Sequence, residues 1–330
     1  MPTGCAITSW AAALPEQVVT NEDIMTLFDT SDEWIVTRTG IRQRRAADGP
    51  FVSPKPPSSP PGGMGTTAQL ATRAASAALE RVGLTGADID LLVLCTTSPD
   101  QLVPATSSPV AHALKIKGGA MDLNAACAGF TYGLVTAASF VVAGAERVLV
   151  VGAETLTRIT NWADRTNAFL FGDGAGAVVV EAAPGESSLL GWDLGVDGSL
   201  VELCYADHGG PGMVMRGKEV FRQAVRVTVE SATKSLERAK VAASDIALFV
   251  PHQANVRIMD AIAERLEIPK DRTASVIGRT GNTSSASVPL ALSEAADSGR
   301  LSEGDLVLFA GFGAGMTWSS AVWRWGSGGG

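Results

Sequence analysis

Two stretches of this chain share one hydrophobic pattern. Ala87-Asp-Ile-Asp-Leu-Leu-Val-Leu and Ser244-Asp-Ile-Ala-Leu-Phe-Val-Pro each read as a short polar lead into a buried strand. Cys127 lies 34 residues beyond Val93, and Asn282 lies 33 beyond Phe249. A stretch of small residues with helical character follows each. Then come the apolar runs Arg147-Val-Leu-Val-Val-Gly and Asp305-Leu-Val-Leu-Phe-Ala-Gly. Each half therefore reads strand, connection, strand, helix, strand, in matching order. This alternation predicts α/β layers with mostly parallel central strands, divided into halves 1–185 and 186–330. A duplicated pair of this kind brings the helix starts near Cys127 and Asn282 face to face across a pseudo-twofold axis.

Two segments break the pattern. Residues 48–65 hold six prolines and end in clustered glycines, which excludes a helix or a central strand and predicts an exposed loop. The following Thr66-Thr-Ala-Gln69 is a capping box opening a helix that Gly83 ends. The glycine-rich tail from Gly326 is read as carrying no chemistry.

Composition narrows the function classes. Hydrophobic residues make up 46% and charged residues 18% of the 330 positions, a well-buried globular profile. The net charge of −8, with no long basic run, argues against a nucleic-acid or anionic-membrane partner. The apolar stretch from Phe130 to Ala145 is interrupted by Thr, Tyr and Ser and is too short to span a bilayer. No basic region precedes the first apolar stretch, so no signal peptide is expected. Four cysteines without a Cys-x-x-Cys pair, and three histidines, predict neither a metal site nor a disulfide scaffold and fit a reducing, cytoplasmic setting.

Three residues stand out chemically. Cys127, in Asn124-Ala-Ala-Cys-Ala-Gly-Phe, follows a predicted strand and opens a predicted helix. A helix N-terminus favours the thiolate, and the small neighbours leave room for a substrate. The plainer reading, a small buried hydrophobe, is retained for Cys5, Cys95 and Cys204. His252, in Val250-Pro-His-Gln-Ala-Asn, ends an apolar strand, where α/β sheets collect ligands; it equally suits a helix cap. Asn282, in Thr280-Gly-Asn-Thr-Ser, taken alone suits a cap or turn. The glycine runs Phe171-Gly-Asp-Gly-Ala-Gly-Ala and Gly311-Phe-Gly-Ala-Gly match neither a dinucleotide fingerprint nor a P-loop. They suit tight turns, or a close backbone approach that aims N–H groups at an oxyanion.

Together these blocks, with Ser31-Asp-Glu-Trp-Ile-Val-Thr-Arg-Thr-Gly-Ile-Arg and Phe312-Gly-Ala-Gly-Met-Thr-Trp, resemble in order the 3-oxoacyl-acyl-carrier-protein synthase III family over nearly the whole chain. The resemblance implies the thiolase fold: a five-layered α/β/α/β/α sandwich of two pseudo-duplicated halves, usually a homodimer. It implies decarboxylative Claisen condensation of an acyl-CoA starter with malonyl-acyl carrier protein, which initiates fatty-acid synthesis. No cofactor is implied, acyl-CoA being a substrate. Cys127 would carry the acyl group, and His252 with Asn282 would hydrogen-bond the malonyl thioester oxygen. The N–H groups of Cys127 and Ala314 would form the oxyanion hole; many relatives have Gly at the Ala314 position. Trp34 and Arg165 would sandwich the adenine, and Arg38, Gly217, Phe221 and Asn255 would line the pantetheine tunnel. Leu170, Phe171 and Phe312 would line the acyl pocket, which Val103 of the other subunit would floor. Val there is smaller than the Phe of some relatives and implies room for longer or branched starters. Arg257 and Arg222 would dock the carrier protein. The loop at 48–65 is longer than the family pattern and is read as an inert insertion. A priming ketosynthase or acyltransferase of polyketide or secondary metabolism, using the same cysteine, is the alternative. A degradative thiolase lacks its second Cys or Glu motif here, and an idle scaffold would lack Cys127 or His252.

Overall fold

The computed structural model describes residues 3–47 and 65–326. The expectations for the loop at 48–65, Gly65 excepted, and for the tail beyond Gly326 lie outside the described residues. The strands are β1 (Thr3–Ala13), β2 (Gln17–Thr20), β3 (Gln43–Ala46), β4 (Leu91–Cys95), β5 (Gly119–Leu123), β6 (Arg147–Thr155), β7 (Asp173–Pro184), β8 (Leu189–Val196), β9 (Cys204–Tyr205), β10 (Val214–Met215), β11 (Ile246–Pro251), β12 (Leu306–Gly313) and β13 (Thr317–Arg324). The helices are α1 (Asn21–Met25), α2 (Asp32–Thr39), α3 (Thr67–Arg81), α4 (Ser107–Leu114), α5 (Gly129–Val142), α6 (Gly217–Ala239), α7 (Val256–Arg265), α8 (Ile277–Thr280) and α9 (Ser287–Asp297).

Two large sheets carry the fold, ordered β1-β7-β6-β4-β5 and β11-β12-β13-β8. Helices α5 and α9 lie between them. Helix α5 packs on both sheets, and α9 touches β7, β1 and β6 on one side and β11 on the other. Helices α3 and α4 cover the outer face of the first sheet, and α6 covers the outer face of the second with α7 against it. This is the expected α/β/α/β/α sandwich. One apolar core runs from sheet to sheet through α5 and α9, and a further core lies between each sheet and its outer helices. Five alanines of α3 (Ala68, Ala71, Ala74, Ala75, Ala78) are buried against the sheet, and Ala77 faces out. The predicted capping box opens α3: Thr66 Oγ1 accepts from Gln69 N–H, and the Gln69 side chain accepts from Thr66 N–H.

The sheets are mixed, not mostly parallel. Strand β4 runs parallel to β5 and β6, and β11 runs parallel to β12. The pairs β1–β7, β6–β7, β12–β13 and β13–β8 are antiparallel. Between Gly313 and Thr317 the chain is too short for a crossover, so β13 must fold straight back on β12. The second half also lacks the expected strand ahead of Asn282. Only an isolated parallel bridge, Phe249 to Thr273, forms there. The next backbone groups are taken by a side chain: Gln253 Nε2 donates to Pro251 O and Ala274 O, and its Oε1 accepts from Val276 N–H. Helix α8 then starts at once.

Candidate active site

Cys127 sits in the short loop between β5 and α5, just ahead of Ala128, the N-cap of the helix. Ala126 holds a left-handed φ of 49°, a costly conformation for a residue with a Cβ, and it turns the chain sharply into the cysteine. The other half of the molecule braces this loop. Thr317 Oγ1 donates to Ala125 O (2.8 Å) and Ser319 Oγ donates to Ala128 O (3.1 Å). A Cβ on Gly313 would lie 2.5 Å from Cys127 N, so only glycine lets β12 come this close.

His252 leaves the end of β11, with its N–H donating to Ala310 O (2.8 Å). Its Nδ1 lies 2.7 Å from Ser287 Oγ, and its ring meets Phe312 edge-on at 5.4 Å. Asn282 is held by its backbone. Its N–H donates to Leu170 O and its carbonyl accepts from Gly172 N–H, which stitches the segment 170–172 to the N-terminal approach of α9. Gly172 and Gly281 make this stitch possible, because a Cβ on Gly172 would lie 2.3 Å from Thr280 O. The Asn282 side-chain oxygen accepts from Ser284 N–H (2.9 Å). An N–H can only donate, so this bond assigns the amide and leaves Nδ2 to face the cavity. The glycine run at 172–176 is therefore not a set of tight turns. Gly174 and Gly176 lie in β7, where a Cβ on Gly176 would come within 2.7 Å of Pro289, so they serve the close approach of α9.

Cys127, His252 and Asn282 all line one cavity of about 1210 Å³. Trp34, Arg38, Arg165, Leu170, Phe171, Gly217, Phe221, Asn255, Arg257, Phe312 and Ala314 line it as well. Two expected residues do not. Arg222 is an exposed residue of α6 outside the lining, and Val103 is 84% exposed away from it. A single chain cannot place Val103 in its own pocket, since its expected place is the other subunit's. The Arg38 guanidinium lies over the Trp34 ring at 5.0 Å, while the Trp34 ring meets Phe169 edge-on. Arg38, Arg165, Lys218 and Arg257 are the charged side chains of the lining besides the titratable His252, and no acidic residue joins them. A chain of net charge −8 thus presents a basic cavity.

Burial outweighs the helix end in setting the thiol. It pushes Cys127 up to about 12, although the neighbouring Ser284 hydroxyl pulls it back. The thiolate expected from the helix N-terminus is not the resting form. Two features explain this: the thiol precedes the helix rather than lying in its first turn, and the surrounding protein desolvates it. Burial likewise holds His252 down at about 3, so the imidazole is neutral across the physiological range.

Several residues of the site had no warning in the sequence. Cys204 packs half-buried against the outer core of the second sheet, its Sγ 3.7 Å from Met213 Sδ, and also lines the cavity, which the sequence did not signal. Cys5 and Cys95 are fully buried, as expected. Ser284, at a left-handed φ of 46°, contacts the Cys127 thiol. Glu154 is completely buried, and among the described residues no cation pairs with it. It accepts bonds from Thr96, Thr97, Ser98 and Ser285, tying the first half to the segment that carries Asn282. A carboxylate closing the apolar run Val-Leu-Val-Val-Gly-Ala was the available signal for it. Among the described residues no cluster of His, Cys, Asp or Glu could hold a metal ion, and no helix is long and apolar enough to cross a membrane.

Comparison with known proteins places this geometry. Residues 121–198 match the family "3-Oxoacyl-[acyl-carrier-protein (ACP)] synthase III", and residues 236–325 match its C-terminal counterpart. The chain is 43% identical to the beta-ketoacyl-[acyl-carrier-protein] synthase III 1 of Bacillus anthracis, over 95% of this chain and 96% of that one. It is 45% identical to the beta-ketoacyl-[acyl-carrier-protein] synthase III of Listeria monocytogenes, again over 95% and 96%. Among solved structures, 3-oxoacyl-[acyl-carrier-protein] synthase III from Aquifex aeolicus superposes with a TM-score of 0.90 at 42% identity, covering 98% of this chain and 100% of that one.

Proposed function

The chain belongs to the 3-oxoacyl-[acyl-carrier-protein] synthase III family, and from that premise we propose that it condenses an acyl-CoA starter with malonyl-acyl carrier protein, giving 3-oxoacyl-acyl carrier protein, CoA and CO₂ at the start of fatty-acid synthesis. The observation that carries this reading is the convergence of Cys127, His252 and Asn282 on one cavity whose acid–base lining is wholly basic.

In the first step Cys127 Sγ attacks the thioester carbonyl of acyl-CoA. The C–S bond to CoA breaks, and the thiol proton passes to the departing CoA sulfur. In the second, the malonyl carboxylate leaves as CO₂ while the electron pair of its C–C bond becomes the enolate of the carrier-bound thioester. His252 Nε2 and Asn282 Nδ2 donate to that enolate oxygen, and one such donor is commonly worth about 3 kcal/mol. The carbanion then attacks the Cys127 acyl carbon, whose oxyanion the N–H groups of Cys127 and Ala314 receive. The cysteine leaves as thiolate and regains a proton from solvent. Neutral imidazole suits this donor role, and the low pKa of His252 supports it. The chemistry assigned to these groups calls for no resident cofactor.

The basic lining suits two anionic visitors. Trp34, Arg38 and Arg165 offer flat faces and charge to the CoA nucleotide. Arg257, stacked 6.0 Å over Phe221, offers local positive charge to an acidic carrier protein, and exposed Arg222 follows Phe221 on the same helix. A homodimer is supported by β5, whose outer edge pairs with no strand among the described residues, and by exposed Leu102 and Val103 beyond β4. In such a dimer Val103 would reach the partner's acyl pocket, and a cytoplasmic site of action fits the free thiols.

Intact-protein mass spectrometry with a panel of acyl-CoAs tests the reading. One acyl mass adds to the wild type and not to Cys127→Ala, and malonyl-carrier protein then discharges it. A wild type that no acyl-CoA labels overturns the first step.

A further inference from the structure

A neutral imidazole donates from only one of its two nitrogens, so the use of His252 depends on which one carries the proton. The surroundings of Ser287 decide this. Ser287 is completely buried at the start of α9. Its Oγ meets two groups: His252 Nδ1 at 2.7 Å and the backbone N of Gln253 at 3.2 Å. The Gln253 N–H can only donate, so Ser287 Oγ is its acceptor. A serine hydroxyl has one hydrogen and two lone pairs.

If Nδ1 were protonated, Ser287 Oγ would accept from both neighbours. Its own hydrogen would then be stranded in a dry interior, at a cost of roughly 1–3 kcal/mol. If Nδ1 is bare, the hydroxyl donates to it, accepts from Gln253, and every group is satisfied. The proton of the ring is then on Nε2.

We propose that Ser287 is a positioning residue that selects the Nε2–H tautomer of His252, so that the imidazole presents a donor to the cavity. This rests on the reading above for the use of that donor, but not for the tautomer itself. Burial supports the arrangement by keeping the ring neutral. The same short segment then orients the whole site. Ser284 N–H turns the Asn282 amide so that Nδ2 faces inward, and Ser287 turns the imidazole electronically to match. Two donors emerge on one cavity from two buried serines that do not themselves line the reaction with charge.

The test is nitrogen NMR of protein labelled with ¹⁵N-histidine, the His252 signals being assigned against His252→Asn among the three histidines of the chain. The wild type is expected to show a protonated Nε2 and a bare Nδ1. Ser287→Ala is expected to lose that preference, and Ser287→Thr, which keeps the hydroxyl, to retain it. In turnover, Ser287→Ala should still accept an acyl group on Cys127 within about threefold of wild type. It should condense with malonyl-carrier protein at least about tenfold more slowly, a part of the 10²–10³ that one such donor commands. Protonated Nδ1 in the wild type overturns the proposal, as does a Ser287→Ala protein with unchanged tautomer and unchanged condensation. A wild type that shows Nε2–H but never condenses supports the tautomer assignment and instead overturns the functional reading.

Discussion

Cys127 rests as a thiol because burial in the cavity floor outweighs its position before a helix and its contact with Ser284. Alkylation of Cys127 by a small haloacetamide should therefore keep accelerating as pH rises past 9, with no plateau near neutrality. Mass spectrometry against Cys127→Ala reads that profile, and a plateau below pH 8 contradicts it. His252 gives the opposite sign of test. Its folded pKa of about 3 lies below the ordinary 6.5. Above pH 6.5 both folded and unfolded chains hold it neutral, and its contribution to stability is whole. As pH falls from 6.5 toward 3, the unfolded chain takes up a proton that the folded chain refuses, so stability drops by up to about 1.4 kcal/mol per pH unit. Denaturant unfolding at pH 7 and pH 4.5 should show a smaller acid loss for His252→Asn than for the wild type. An equal loss in both would remove the buried neutral histidine from the account.

Elements meet at this site because small residues let them. Gly152 in β6 admits the carbonyl of Ser285, which a Cβ would approach to 2.5 Å, and Gly313 in β12 admits Cys127. Glu154, two residues beyond Gly152, then binds the segment so admitted through the Ser285 hydroxyl (2.8 Å) while holding the 96–98 loop on its other oxygen. Its carboxyl oxygens accept from every group of this ring of N–H and O–H donors. Glu154→Gln places an NH₂ against donors and should destabilise the fold by about 2–4 kcal/mol. The urea midpoint reads this, and an unchanged midpoint would show that the donors find other partners. The mixed sheets belong to this scale too. The alternation of strand and helix was legible, but strand direction was not, because the three residues between β12 and β13 decide it by length alone. The missing strand before Asn282 has a similar origin, since the side chain of Gln253 takes the bonds that a neighbouring strand would have made.

At the scale of the molecule, one chain leaves surface unexplained. Leu102 and Val103 are 76% and 84% exposed, and among the described residues no strand pairs with the outer edge of β5. A twofold pairing that covers this face would account for both. Val103→Asp should shift the chain toward monomer in analytical ultracentrifugation and alter the preferred starter acyl length. A variant that stays dimeric with the same starter preference would separate Val103 from both interface and pocket.

What the order of residues carried was the alternation of strands and helices, the layered α/β class and the blocks around Cys127, His252 and Asn282. These are local patterns of polarity and residue type, which the chain displays without being folded. The tertiary structure alone decided the charge states, the amide and imidazole orientations, the place of Cys204 in the cavity wall and the roles of Ser284, Ser287 and Glu154. Each of these depends on which groups lie within hydrogen-bond reach across gaps of tens to hundreds of residues, and on how much water the packed layers exclude.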